Sequence, residues 1–403
     1  METSTSEEDS NVDLFERRLS EARDFIAHPE KLEQRIQLEQ QAHDSTTLRT
    51  PQADPFAYRM THYRGFVRYP ERLRNSIVAE RQPLDCTRSF LPTIMDIEPN
   101  SRCNFRCTMC QVSAWERGKR AEDMPFDQFK DFIDSVPTLT EVKLHGMGEP
   151  LLHKDFIAMV RYLVDKDIWV RTTVNGSLLH ARDNYKKLID AGIGEVQTSF
   201  DGANKEVFEK IRRKSNFERV VNNLTLLNEY ANTKDRPYTR MWVVVQRYNR
   251  HQIFDFVELA LKMKFKRLSF SMSLNDWGQD QWYDNNESLQ PDPLTDKEKS
   301  TLLQMSQSSG LDISLWEQAD TYKTAPQAVL CPWIFGRSYI GSDLRIAPCS
   351  IIGNPDVADL GDARNFTHEW NGDSYRTFRQ AHLEGRIPRC CQQCYAVTHT
   401  RRQ

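Results

Sequence analysis

Six short runs rich in β-branched and aromatic residues, at 93–98, 141–145, 169–174, 195–200, 241–246 and 267–272, punctuate the middle of the chain. Between them, at 126–135, 154–166, 181–191, 205–211 with 217–230, and 252–263, apolar residues recur every three or four positions. Strand-period and helix-period segments in turn predict repeated βαβ units around a parallel sheet. Parallel sheets place ligand chemistry at the carboxyl ends of their strands, so the residues just after each run are the ones to read for function.

The flanks have a different texture. Residues 1–11 read as unstructured. From Val12 to about Ala42 the apolar positions Leu14, Leu19, Ala22, Phe25 and Ile26, then Leu32, Ile36 and Leu38, give a helical pattern broken at His28-Pro29. Residues 50–55 form a loop, and 56–91, with Tyr58, Tyr63, Phe66 and Tyr69 among arginines, read as short helices. A helical N-terminal segment therefore spans 1–91, ahead of the α/β region at 92–275. The stretch 276–327 reads as a linker with a polar loop (274–293) and a helix (295–306). Residues 328–403 form a small α+β unit, with a hairpin of 338–340 and 345–347 around Gly341-Ser342-Asp343 and a helix at 375–383.

Composition narrows the function class. The 403 residues carry 54 Lys+Arg against 57 Asp+Glu, a net charge of −3 that argues against nucleic acid as a partner. No run approaches the roughly 18 apolar residues of a membrane span. The N-terminus has neither a basic nor an apolar region of the secretory kind, so a cytoplasmic protein is expected. The nine cysteines are Cys86, Cys103, Cys107, Cys110, Cys331, Cys349, Cys390, Cys391 and Cys394. An odd count, with eight of them in two groups, suits metal binding better than a disulfide framework. Cys86, alone, reads as a small buried hydrophobe.

The first group follows the first strand as Cys103-x3-Cys107-x2-Cys110. Three thiolates on one loop can hold three irons of a 4Fe–4S cube and leave the fourth open, and an open position marks a catalytic metal. A zinc knuckle would need a fourth ligand, and candidates such as His145 lie far along the chain. This triple resembles the signature of the radical S-adenosylmethionine (SAM) superfamily, and the resemblance extends over residues 93–275. After the second strand, Gly146-Met147-Gly148-Glu149-Pro150 is similar to the family's Gly-Gly-Glu-Pro segment, which contacts the methionyl amine of SAM; the match is Gly148, Glu149 and Pro150. Asn175-Gly176 resembles a Thr-Asn-Gly turn, with Val174 in place of threonine. Ser199-Phe200-Asp201-Gly202 resembles the segment whose Ser and Asp approach SAM's ribose and carboxylate, and Arg212 lies where many relatives bind that carboxylate. Met109 stands where most relatives carry an aromatic near adenine. Taken singly, a Gly-Glu-Pro is often only a turn and a Ser-x-Asp-Gly only a helix cap.

The resemblance implies a partial (βα)6 TIM-type barrel, a SAM-binding 4Fe–4S cluster, SAM itself, and a reductase such as flavodoxin or ferredoxin. It also implies the chemistry: SAM chelates the open iron, one electron splits it, and the 5′-deoxyadenosyl radical takes hydrogen from a substrate C–H. Near the C-terminus, Cys331-Pro332-Trp333, Cys349, Gly361-Asp362, Glu369-Trp370-Asn371, Arg376, Arg379 and Arg389-Cys390-Cys391-Gln392-Gln393-Cys394 resemble the SPASM/twitch extension of the same superfamily. A full SPASM domain uses about seven cysteines, so five here imply one auxiliary 4Fe–4S cluster, held by Cys331, Cys349, Cys391 and Cys394. Leu344 replaces a glycine usual ahead of the second of these cysteines. Cys390 is a spare that exchanges with Cys391, or points away if the segment is extended. A zinc ribbon is the alternative. An auxiliary electron acceptor favours two-electron oxidation of a small polar molecule, such as a sugar or aminocyclitol. A free Cys390 donating hydrogen would instead make an epimerase. A peptide-modifying maturase comes second, because the N-terminal segment lacks a compact winged-helix pattern. A non-catalytic metal-binding scaffold is the reading from another class.

Overall fold

The computed structural model describes residues 3–42, 46–115, 122–234, 238–317 and 330–399. Seven strands run parallel and in chain order: β1 (Ile94–Ile97), β2 (Glu141–Leu144), β3 (Trp169–Val174), β4 (Glu195–Ser199), β5 (Thr239–Val244), β6 (Arg267–Ser271) and β7 (Asp312–Trp316). On the other side of β1 lies β8 (Arg337–Ile340), parallel to it, and beyond that the antiparallel β9 (Ile346–Ala347). Helices α5 (Phe126–Ser135), α6 (Phe156–Val164), α7 (Asn184–Asp190), α8 (Lys205–Ile211), α9 (Phe217–Ala231) and α10 (Ile253–Lys262) connect successive strands. This is the expected partial barrel, with two more parallel strands, β7 and β8, than the six the pattern predicts.

The two faces of the sheet differ. Met95, Ile97, Val142, Leu144, Val170, Val196, Met241 and Val243 point outward and are buried against Phe129, Phe156, Leu188, Leu224 and Phe256 of the helices. The alternate positions Asp96, Lys143, Arg171, Thr173, Gln197, Ser199 and Trp242 face the lumen, and several of them are only half-buried. Alternation in a parallel strand means that one face is wet, because a sheet covered on both sides reads as a continuous apolar run.

Helices α1 (Thr3–Ala27), α2 (Pro29–Gln41), α3 (Pro55–Arg68) and α4 (Pro70–Arg81) close the amino ends of the strands. The break between the first two falls at Pro29 as expected, since proline is tolerated only in a first helical turn. Phe15 and Leu19 pack on Leu73 and Ile77, and Phe25, Leu32 and Ile36 on Phe56, Met60 and Tyr63. Tyr58 donates to Glu141 at the base of β2 (3.1 Å), and Arg72 donates to the carbonyl of Lys166 (2.7 Å) ahead of β3.

Three expectations change. Helix α1 begins at Thr3, inside the stretch read as unstructured. The segment read as a linker with one helix does hold that helix, α12 (Asp296–Ser309), but also contributes α11 (Asp280–Glu287) and β7, which its polar sequence conceals; its residues 318–327 lie outside the described residues. The C-terminal unit is not separate, because β8 extends the barrel sheet and Ile340, Ile346, Phe366, Trp370 and Tyr375 join the barrel's own core. Trp370 Nε1 also donates to the Phe90 carbonyl (2.7 Å), and Arg379, stacked 4.0 Å from the Trp370 ring, reaches the Cys86 carbonyl (3.0 Å). Cys86 itself is half-buried rather than a core residue.

Candidate functional site

The loop after β1 is built from its polar side chains. Glu98, fully buried, accepts from the Met147 amide (2.9 Å) and the Ser342 amide (3.1 Å), tying the loop to the turn after β2 and to the C-terminal hairpin. Asn100 donates to the Glu149 carbonyl (3.0 Å) and accepts from the Arg102 amide (3.0 Å). Cys107 pairs with Arg212 in a two-residue antiparallel ladder. Cys103, Cys107 and Cys110 are thus all on one pinned loop. Burial pushes all three thiols up, Cys110 to about 12. Two donors flank the sulfurs: Asn175 Nδ2 lies 4.0 Å from Cys103 Sγ, and Arg212 Nη1 4.0 Å from Cys107 Sγ.

The turns after β2, β3 and β4 converge on this loop. A Cβ on Gly148 would stand 2.2 Å from the Asn100 carbonyl oxygen, so only glycine lets the two backbones approach. Glu149 is buried, and burial raises it to about 7 even though its carboxylate accepts from the Asn175 amide (2.7 Å) and the Leu151 amide (3.3 Å). Pro150 opens the short turn that follows. Asn175 also donates to Asn104 of the cysteine loop (2.8 Å). Asp201 is completely buried, accepts from the Val244 amide (2.8 Å) and pairs with Arg212 at 2.6 Å. Asn204, not Asp201, caps the next helix. The pair uses one guanidinium nitrogen, Nη2, and leaves Arg212 Nε buried without a hydrogen-bond partner, while Ser199, half-buried at the end of β4, is the accessible polar group of its segment. Met109 packs with Ile211, Leu274 and Leu289, an apolar patch beside Cys107.

The second cysteine group closes on itself. Cys331, Cys349, Cys390, Cys391 and Cys394 line one small cavity with Trp333, Ile334, Ile351, Ile352 and Tyr395, whose hydroxyl accepts from the Cys331 amide (2.8 Å). Cys390 does not point away. The backbone at Arg389–Cys391 is a 3-10 turn, so the Cys390 and Cys391 sulfurs stand 4.0 Å apart and share the cavity. Their contact draws Cys390 down and drives Cys391 up, while burial raises Cys349.

The residues between the two groups escaped the sequence reading. Gln111, fully buried, donates to Met147 Sδ (3.2 Å) and the Ile352 carbonyl (3.1 Å) and accepts from Gln279 (2.9 Å) and Asn354 (3.4 Å). Trp277 Nε1 donates to the Met109 carbonyl (3.1 Å). A Cβ on the neighbouring Gly278, at φ +68°, would stand 2.9 Å from the Cys390 Cβ. Trp277, Gly278 and Gln279 lie in the polar stretch 274–293 and Gln111 directly after the cysteine triple, and hydrogen bonds of such polar side chains are announced by no periodicity.

Comparison with known proteins agrees with this geometry. Residues 97–266 match the Radical SAM superfamily. Over 172 residues the chain is 30% identical to the mycofactocin maturase MftC of Mycolicibacterium smegmatis, covering 42% of each protein. It is 34% identical over 172 residues to the GTP 3′,8-cyclase of Nautilia profundicola (41% and 51% covered), and 24% identical over 179 residues to the PqqA peptide cyclase of Bradyrhizobium diazoefficiens (44% and 46%). The matched part spans about half the length of these curated relatives. Among solved structures, SuiB of Streptococcus suis bound to S-adenosylmethionine superposes with a TM-score of 0.55 at 14% identity, covering 81% of this chain and 74% of that one. Native anSMEcpe with bound AdoMet gives 0.53 at 17% identity, covering 75% and 88%. These two share the fold. The helices described include none long and apolar enough to cross a membrane. With the family match running from the end of β1 to the residue before β6 and taking in all three cysteines of the first loop, residues 97–266 are a domain of the radical SAM superfamily, whose members use a 4Fe–4S cluster and SAM.

Proposed function

We propose that this protein is a radical SAM enzyme with one auxiliary 4Fe–4S cluster, oxidising a polar substrate held in the barrel lumen. The observation that carries the reading is the convergence of the Cys103–Cys107–Cys110 loop, the Gly148–Glu149–Pro150 turn and the Asn175 turn through Asn100, Asn104 and Glu149. The donor set fits the family's cluster: three thiols on one loop, with N–H groups of Asn175 and Arg212 beside two of them. Among the described residues, no three His, Cys, Asp or Glu side chains close on a single ion. A cube needs one thiolate per iron, not several around one metal, so this spacing favours it over a zinc knuckle.

A 4Fe–4S cluster bound there would supply one-electron reduction of SAM, the source of a hydrogen-abstracting radical. The chain's own residues position and shield. Cys103, Cys107 and Cys110 hold the cluster; the turn at Gly148, Glu149 and Pro150, with Asn175, receives the methionyl amine; Met109 offers an apolar surface for adenine. Ser199 serves the ribose. Asp201 works through Arg212, fixing it against Cys107, rather than touching SAM. Cys331, Cys349, Cys391 and Cys394, which line one cavity, would hold the auxiliary cluster, and such a cluster would supply a one-electron acceptor.

A reductase such as flavodoxin or ferredoxin would supply the first electron. A peptide substrate is the second reading, favoured by relatives named as maturase and peptide cyclase and by a SuiB structure bound to its precursor peptide (TM-score 0.56, 13% identity). Anaerobically reconstituted protein is expected to bind about eight irons. Replacing Cys103, Cys107 and Cys110 together with alanine is expected to halve the iron and abolish formation of 5′-deoxyadenosine. Undiminished 5′-deoxyadenosine in that variant would refute the assignment.

A further inference from the structure

Several charged side chains on the lumen face are spent on one another: Glu141 pairs with Arg171 (2.7 Å), and Glu195 with Arg240 (3.3 Å) and Arg267 (2.7 Å). The pair that the family signature does not explain is Asp96 of β1 with His145, whose Nε2 lies 3.1 Å from Asp96 Oδ1. His145 follows the last residue of β2 and immediately precedes the turn of Gly146 to Pro150, so the pair stands at the SAM end of the lumen. Burial would raise Asp96, but the hydrogen bond to His145 and the charges of Lys143 and Arg171 hold it at about 2, so it is ionised and can only accept. Nε2 must then carry the ring's proton. Burial, with the same two cations, pushes His145 down to about 4 against the pull of Asp96. The ring is therefore neutral near pH 7, and its other nitrogen, Nδ1, is bare.

Nδ1 has no hydrogen-bond partner among the described residues, and 14% of the His145 side chain is open. The buried His153, by contrast, fills both ring positions, with the Met124 carbonyl (3.0 Å) and the Asp155 amide (3.0 Å). Thr173, Ser199 and Trp242 on the lumen face are also only half-buried. An imidazole fixed by a carboxylate at one nitrogen, with a lone pair open at the other, is the arrangement of a general base.

We propose that the Asp96–His145 pair is the proton acceptor of the reaction: Nδ1 receives a hydroxyl of the substrate and takes its proton as the carbon bearing it is oxidised. The assignment rests on the radical SAM reading of the adjacent turn, and it makes the substrate an alcohol. The 5′-deoxyadenosyl radical takes the hydrogen atom from the hydroxyl-bearing carbon, breaking that C–H bond and forming one in 5′-deoxyadenosine. The carbon radical gives its electron to the acceptor proposed above, the auxiliary cluster; the C–O bond becomes a carbonyl, and the O–H proton passes to Nδ1. Loss of the electron makes that proton strongly acidic, so a weak base suffices, while an ordinary alcohol keeps its proton beside the same base. A carbon bearing an ammonium lacks the lone pair that makes such a radical easy to oxidise, and an ether has no proton to give.

The test reads the imidazole itself. In oxidised, reconstituted protein with 15N-labelled histidine and saturating SAM, His145→Gln identifies the His145 resonances by their loss. Asp96→Asn, which removes the charge beside Nε2, marks the same resonances by their shift. At neutral pH they are expected to show an uncharged ring with its proton on Nε2. Titration with 2-propanol, trifluoroethanol and hexafluoroisopropanol, alcohols of rising acidity, is expected to shift Nδ1 progressively farther, and the methyl ether of hexafluoroisopropanol to leave it in place. A charged ring at neutral pH, a proton on Nδ1, an equal shift with the ether, or no graded response to the alcohols overturns the proposal. Failure of the wild-type protein to form 5′-deoxyadenosine from SAM would instead sink the radical SAM reading, while the titration would still decide His145.

Discussion

Leu344 shows how a side chain can be worth more than the backbone it strains. Its φ of +62° belongs to the left-handed region, where a leucine costs about 1 kcal/mol more than glycine. The amide donates to the Gly341 carbonyl (2.9 Å), its own carbonyl accepts from Ala363 (2.8 Å), and the side chain is 2% exposed within the main core. Deleting a buried leucine costs about 3 to 5 kcal/mol, so Leu344→Gly is expected to destabilise the protein by about 2 kcal/mol or more despite the easier turn. Urea unfolding measures this, and a variant more stable than wild type would show that the side chain does not pack as described. The glycine expected at this position was a family habit of the turn; the chain keeps the turn and spends the position on its core.

The strands carry the same lesson one level up. Their existence was legible, and all six expected strands end within two residues of the observed ones at both ends, with β3 matching outright. What each faced was not. Asp96, Lys143, Arg171 and Glu195 stand at alternate positions, a sign of a wet lumen that was in view in the sequence, but strand runs in an α/β pattern are read as buried on both sides. Strand β7 and helix α11 were missed for the opposite reason, since Asp280–Glu287 buries only Trp282 and Asn286 and shows no apolar period. The lumen pairs also set the acid limit of the fold. Burial alone would raise Glu195, but Arg240 and Arg267 outweigh it and hold the carboxyl at about 2. A folded pKa below the unfolded value of about 4.3 gives stability that is complete above that pH and is lost as pH falls toward 2. Glu195→Gln should therefore flatten the stability profile between about pH 4.3 and 2. It should also cost about 3 to 5 kcal/mol at neutral pH, because two buried guanidinium groups lose their counter-charge. Chemical denaturation across that pH range checks both, and an unchanged acid slope would assign the acid limit to other groups.

At the scale of the whole molecule, the order of the cysteine groups and the parallel sheet were readable, but their union was not. A strand that returns from the chain's last quarter to pair with β1 is a long-range contact, and nothing local in Arg337–Ile340 encodes its partner. The C-terminal unit therefore cannot be detached. A chain ending after residue 317 would bare the edge of β1 and remove Phe366, Trp370 and Tyr375 from the common core. That truncation is expected to lose the cooperative thermal transition in calorimetry, whereas an independent unit would leave a barrel that melts as sharply as the full chain.

Gln111 makes the connection tighter still. One side-chain amide spans Met147, Ile352, Gln279 and Asn354, so each of the three loops that meet there completes the hydrogen bonding of the others. Releasing any one of them leaves a buried amide short of partners, at a cost of about 1 to 3 kcal/mol. Brief openings of the native state should then not happen at one cysteine loop alone. The two thiol groups, more than two hundred residues apart in the chain, belong to one cooperative unit of local unfolding, and they are ordered or exposed to solvent together.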